Sequence, residues 1–164
     1  MIHHRQKITL DRGLKDLRKL ELFVEKLCDQ FNIYNNYFGI ILYSLTEVYR
    51  VSIPKTKEAV SVKLVFNATA KGFVFQFFGS SFDDEFVDVL RNSCDLEEKV
   101  ELSDLEQTVA ILKRVTDGMH LEENDSIRVF FDIASIHFEL SQNRVMLLNG
   151  YFDKVRNASN ILTS

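Results

Sequence analysis

Six consecutive residues near the middle of the chain, Phe73-Val74-Phe75-Gln76-Phe77-Phe78, constrain the fold more than any other stretch. In a strand, successive side chains point to opposite faces. Phe73, Phe75 and Phe77 then share one face, and Val74 and Phe78 the other, so both faces need cover. The preceding segment also has period two: Val60, Val62, Leu64 and Phe66 alternate with Ser61, Lys63 and Val65. Two such runs joined by a short polar loop at 67–72 predict an antiparallel hairpin. Its phenylalanine strand is expected to be central, with helices over one face and a loop or the final helix over the other. The sharper alternative is that one face lines a protein interface.

The flanking segments supply those helices. Lys7–Leu10 reads as a first strand, and Asp11 is expected to cap a helix over residues 12–31. Leu17, Leu20, Val24, Leu27 and Phe31 form its apolar stripe. A second helix is predicted over 36–52, with Phe38, Ile41, Leu42, Leu45 and Val48 on its core face. Ile40, Ser44, Glu47 and Val51 lie on a neighbouring face, and Pro54 closes the segment. A short helix over 83–91 starts with acidic residues, which the helix dipole favours. Ser103 and Glu106 form a capping box for a further helix, with Gly118 as its expected stop. Residues 119–121 and 126–133 read as a second hairpin, with Ile127, Val129, Phe131 and Ile133 on one face. A last helix is predicted over 135–156.

Together these elements predict an α+β fold: an antiparallel or mixed sheet with helices packed on one face, plus an extra C-terminal helix. Residues 1–134 form the domain, and 135–164 a helical extension packed on it. The extension carries Leu140, Val145, Leu147, Leu148, Tyr151 and Phe152, more than one core stripe holds, which points to a homodimer.

The 164 residues, 46% of them hydrophobic, suffice for one core without staples. A net charge of −4 supplies no basic stripe for nucleic acid. Only two cysteines, Cys28 and Cys94, argue against a disulfide framework. His3, His4, His120 and His137 lack metal-ligand spacing, so no metal is expected. The first residues lack an apolar signal segment, and no apolar run approaches the roughly 20 residues of a membrane span. A cytoplasmic location and no membrane partner are expected.

Three local patterns carry a family likeness. Leu45-Thr46-Glu47 falls late in the second helix. Phe77-Phe78-Gly79-Ser80-Ser81-Phe82-Asp83 ends the phenylalanine strand. Ile111-Leu112-Lys113-Arg114-Val115 leads into the closing hairpin. In order and pattern, residues 7–133 resemble the anti-sigma-factor and serine-kinase branch of the GHKL ATPases. The resemblance implies a Bergerat-like sandwich. It implies that Glu47 stands where the family's general base stands. One turn on, where the family has a magnesium-binding asparagine, this chain has Val51. Phe77 occupies the place of the aspartate that reads adenine. Gly79 keeps the first glycine of that motif, and Ser81 replaces the second. Glu106-Gln107-Thr108 stands where a glycine-rich lid would wrap phosphates, beside the carboxylate of Asp104.

The resemblance therefore implies a vestigial pocket of Ser44, Glu47, Val51, Phe77 and Gly79, with no cofactor. The leading expectation is a regulatory protein that holds a partner, such as a sigma factor or an anti-anti-sigma-like protein. One alternative is a divergent ATP- and magnesium-dependent protein serine kinase, with Glu47 as base and Gly79 in the phosphate cradle. A second is a PAS-like small-molecule sensor with a phenylalanine-lined cavity under the sheet.

Overall fold

The structure is a computed structural model and describes residues 5–33, 35–54, 60–79, 81–132, 146–152 and 154. In chain order its elements are β1 (Arg5–Leu10), α1 (Leu17–Gln30), α2 (Asn35–Ser52), β2 (Val62–Ala68), β3 (Gly72–Gly79), α3 (Asp84–Arg91), α4 (Asp104–Val115), β4 (Gly118–Leu121) and β5 (Ile127–Asp132). Short 3-10 turns at Gly13–Asp16 and Ser93–Glu98 lie between them. The fold is α+β. The strands form one sheet in the order β1-β2-β3-β5-β4, and every neighbouring pair is antiparallel.

The phenylalanine strand is central, as its pattern requires. Register aligns Ile8, Leu64, Phe77, Ile127 and Leu121 in one row across all five strands. Gln6, Phe66, Phe75, Val129 and Met119 form the next. These rows share a core with residues of α1, α2, α3 and α4. Its middle is aromatic. Phe66 lies 5.1 Å from Phe75 and 5.5 Å from Phe73, and Phe131 meets both Phe75 and Tyr37 edge-on at 6.0 Å. Edge-on and tilted pairs at these separations add to the burial of area. On the opposite face Val65 and Val74 are also buried, while Lys7, Lys63 and His120 are exposed.

The start of the first helix differs from expectation. Asp11 does not cap the helix: the residue before α1 is Asp16, whose side chain caps no helical N–H and instead closes the turn ahead of it. Its Oδ2 accepts the backbone N–H groups of Asp11 and Arg12 at 2.8 and 2.9 Å, and its Oδ1 accepts Arg12 Nε at 2.9 Å. The turn passes through Gly13 at φ +63°, a left-handed conformation that disfavours other residues. Tyr49 Oη donates to the Gly13 carbonyl at 3.1 Å, tying this turn to α2. The helix proper thus begins at Leu17.

The inner stripe of α2 is also rotated from the expected one. Tyr37, Ile40, Ile41, Ser44, Leu45, Val48, Tyr49 and Ser52 are buried, whereas Phe38 and Leu42 are only half-buried. Two tyrosines take core positions because their rings pack inward, and the Tyr49 hydroxyl has its acceptor. Gly118 does not stop α4 but opens β4; the helix ends at Thr116, whose Oγ1 donates to the Leu112 carbonyl at 2.7 Å. The capping box is present as read: Glu106 N donates to Ser103 Oγ and Ser103 N to Glu106 Oε1, both at 3.1 Å.

Within the C-terminal extension, residues 146–152 are helical. Leu148 is buried in the common core, and the Phe152 ring meets Tyr43 of α2 edge-on at 5.9 Å. Met146 and Phe152 are largely exposed. Ile133, Leu140, Val145, His137, His3 and His4 lie outside the described residues. Among the described residues no helix is long and apolar enough to cross a membrane.

Candidate functional site

The end of α2, the segment leading into α3 and the start of α4 converge on a cleft. The backbone N–H of Asp83 donates to the Ser52 carbonyl at 2.8 Å, which fixes the α3 entry against the last turn of α2. The resulting cleft has a volume of about 370 Å³ and is lined by Arg50, Val51, Asp83, Glu85, Ser103, Asp104, Leu105 and Thr108. Three carboxylates thus face one guanidinium.

Two helix N-termini open onto this cleft, and a free helix N-terminus is a ready anion site. Here both are already capped. Asp83 Oδ2 accepts Phe86 N at 3.4 Å, and Ser103 Oγ accepts Glu106 N, so one N–H of each first turn is taken. Glu106 is further held by Lys99 Nζ at 2.6 Å; hydrogen bonds from Lys99 and from the Ser103 backbone keep its carboxyl below the usual range.

Of the expected pocket, Ser44, Glu47 and Val51 lie on α2, and Phe77 and Gly79 on β3. Val51 alone is among the cleft-lining residues. Glu47 is mostly shielded and its carboxylate is taken by Arg50, with Oε2 2.5 Å from Nη2 and Oε1 3.3 Å from Nε. That hydrogen bond raises the Arg50 pKa against the opposing effect of burial. Ser44 is fully buried and its Oγ donates to the Ile40 carbonyl at 2.8 Å, an ordinary helix back-bond. Phe77 is fully buried between Leu64 and Ile127 on the inner face.

Gly79 has a packing reason of its own. A Cβ at this position would stand 3.0 Å from Phe82 Cε1 and 3.2 Å from Cζ, so the ring lies directly over the glycine backbone. Gly79→Ala is expected to push this ring aside and destabilise the fold by about 1–3 kcal/mol. A lower urea midpoint with an unchanged m-value checks it.

Arg50 stands three residues after Glu47, the spacing of neighbours on a helix surface, and their ion pair agrees with reading Glu47 as a salt-bridged helix residue. Among the described residues no group of three His, Cys, Asp or Glu side chains is arranged to hold a metal ion. His120 is exposed on β4. Cys28 is buried, and burial, reinforced by Asp29, pushes its thiol up to about 12, so it is inert as a nucleophile.

The fold and cleft define an α+β sandwich with a small, acid-lined groove at one end of its helical layer. Comparison of the chain with protein-family models and with curated proteins finds no match to either.

Proposed function

We propose that this chain is a regulatory protein that acts by holding a protein partner, on a GHKL-like framework whose nucleotide site has been lost. The observation that carries this reading is the chemistry of the cleft between α2, α3 and α4. The likeness to anti-sigma factors would seat a magnesium nucleotide against these three segments. The cleft instead offers Asp83, Glu85 and Asp104 against Arg50 alone. Carboxylates repel a triphosphate, and at each helix N-terminus one of the backbone N–H groups that would bind it, Phe86 N and Glu106 N, is taken by a cap. Val51 brings no oxygen to a cation that demands oxygen ligands. Glu47 is paired with Arg50 rather than poised towards a nucleophile. A partner of the kind held by anti-sigma factors, a sigma-factor-like or anti-anti-sigma-like protein, fits this reading.

Isothermal titration with Mg-ATP tests it. No saturable heat is expected below about 1 mM nucleotide, which corresponds to less than about 4 kcal/mol of binding free energy. Micromolar binding, or transfer of labelled phosphate to a protein that is abolished in Glu47→Gln, would replace this reading with the kinase alternative.

A further inference from the structure

Among the described residues β1 pairs with β2 alone, and the edge it presents carries a second surface, whose chemistry follows from hydrogen-bond parity. The β2–β3 hairpin closes with Thr69 N donating to the Gly72 carbonyl at 2.8 Å. Bonded and non-bonded pairs alternate along an antiparallel ladder. Counting back from Thr69, the residues Lys63, Val65 and Asn67 bond towards β3, and Val62, Leu64 and Phe66 towards β1. The partners of the latter on β1 are Leu10, Ile8 and Gln6. The N–H and C=O groups of Arg5, Lys7 and Thr9 therefore point away from the sheet. One contact shows this directly: Lys19 Nζ of α1 donates to the Thr9 carbonyl at 2.5 Å.

Helix α1 runs beside that edge. Lys19 touches it at Thr9, and Gln30 touches it at Gln6, where the two side-chain amides bond at 2.7 Å. With about 100° per residue, Lys26 falls on the same stripe between them, with Leu22 alongside; the exposed carboxylates of Asp29 and Glu25 lie, respectively, about a sixth of a turn from Lys26 and about a third of a turn from Lys19. Arg5, Lys7, Thr9, Lys19, Leu22 and Lys26 are all exposed. The edge thus carries two cations on each face, Arg5 and Lys7 on the one turned away from the core and Lys19 and Lys26 on the helix side, in a chain whose net charge is −4.

We propose that this edge takes an extended, acidic segment of a partner protein, which adds as a sixth strand along β1. Backbone pairing with Arg5 and Lys7 supplies the ladder. Carboxylates on one face of the added strand meet Arg5 and Lys7 as cross-strand neighbours, and those on the other meet Lys19 and Lys26. The proposal rests on the reading that the chain works by holding a protein, and it is independent of the nucleotide cleft.

The test uses a fluorescein-labelled octapeptide of two Glu-Glu-Val-Val repeats, whose carboxylates fall on both faces of an extended strand, and a twin with lysine for glutamate, followed by anisotropy at low salt. The acidic peptide is expected to bind at least about tenfold more tightly than its twin, and Lys19→Glu/Lys26→Glu to weaken it about tenfold or more. Lys113→Glu, a charge reversal on α4, is expected to change little. Lys7→Pro removes an N–H that faces the open edge and leaves the ladder to β2 intact. It should abolish binding, whereas Lys7→Gln should only weaken it. Hydrogen exchange at Arg5, Lys7 and Thr9, but not at Gln6 or Ile8, should slow when the acidic peptide is added. The proposal is overturned by equal affinity for the two peptides, or by no binding of either at about 1 mM. Full binding by Lys7→Pro, or an equal loss in Lys113→Glu, overturns it as well. Mg-ATP binding would sink the lost-site reading and leave this one standing.

Discussion

Replacing Phe77 with aspartate is expected to leave no folded protein. The position is the one where the GHKL likeness would put an adenine-reading carboxylate, so the substitution is the obvious attempt to restore a nucleotide site. The ring, however, is fully buried at the centre of the sheet, with Leu64 and Ile127 as its cross-strand neighbours. Deleting a buried phenylalanine costs about 3–5 kcal/mol, the value expected for Phe77→Ala. A carboxylate there adds several kcal/mol of desolvation, because none of the neighbouring side chains in its row is polar. The sum approaches the roughly 5–15 kcal/mol of total stability that a domain has. Phe77→Leu, which keeps most of the volume, is expected to fold with a lowered urea midpoint. The check is circular dichroism and urea unfolding of the three variants. A folded Phe77→Asp protein would show that the ring does not belong to the core.

Removing the Asp16 carboxylate is the second large effect expected. It is a charged side chain with only 1% of its surface exposed, and it holds together the turn between β1 and α1. Burial alone would raise its pKa. Hydrogen bonds from the Arg12 and Asp11 amides and from the Arg12 side chain outweigh that and hold it at about 2, against an ordinary 3.8. Asp16→Ala leaves two backbone N–H groups without their acceptor, and a fall in melting temperature of several degrees is expected. The sign of the pH dependence follows from linkage. The group is more acidic folded than unfolded, so its contribution is complete above pH 3.8 and disappears as pH falls through about 2. The gap between wild type and Asp16→Asn should therefore be constant near neutrality and narrow between those two values. Urea midpoints measured across that window check it, and a gap that widens on acidification would contradict the assignment.

Much of the fold was legible because its signals are local. Alternation in Val62–Phe66 and Phe73–Phe77 set the central hairpin, and the Ser103-to-Glu106 spacing set the start of α4. The errors arose where a residue answers to something distant. Asp11 looked like the cap because it is the nearest carboxylate before the stripe. The left-handed turn at Gly13 moves the helix start to Leu17 and leaves Asp11 in a turn that the Asp16 carboxylate closes. Tyr37 and Tyr49 were passed over as core residues because a tyrosine reads as half polar, and its acceptor, the Gly13 carbonyl for Tyr49, lies far away in the chain. The candidate site was the least legible part. Glu47, Val51 and Gly79 were each placed on the right element. Which of them borders the cleft depends on how α2, α3 and α4 meet, and no periodicity encodes that. The pairing of Glu47 with Arg50 was within reach of helical spacing alone.

The placement of β3 has a consequence for how the molecule comes apart. Its neighbours are β2, from the first half of the chain, and β5, from the second, and it bonds to each along most of its length. Neither half can keep its share of the sheet once the other is gone, since each would lose the strand that buries its aromatic row. No cut through the connections between these strands yields two pieces that stand alone, so melting must proceed as one event, with both halves released together.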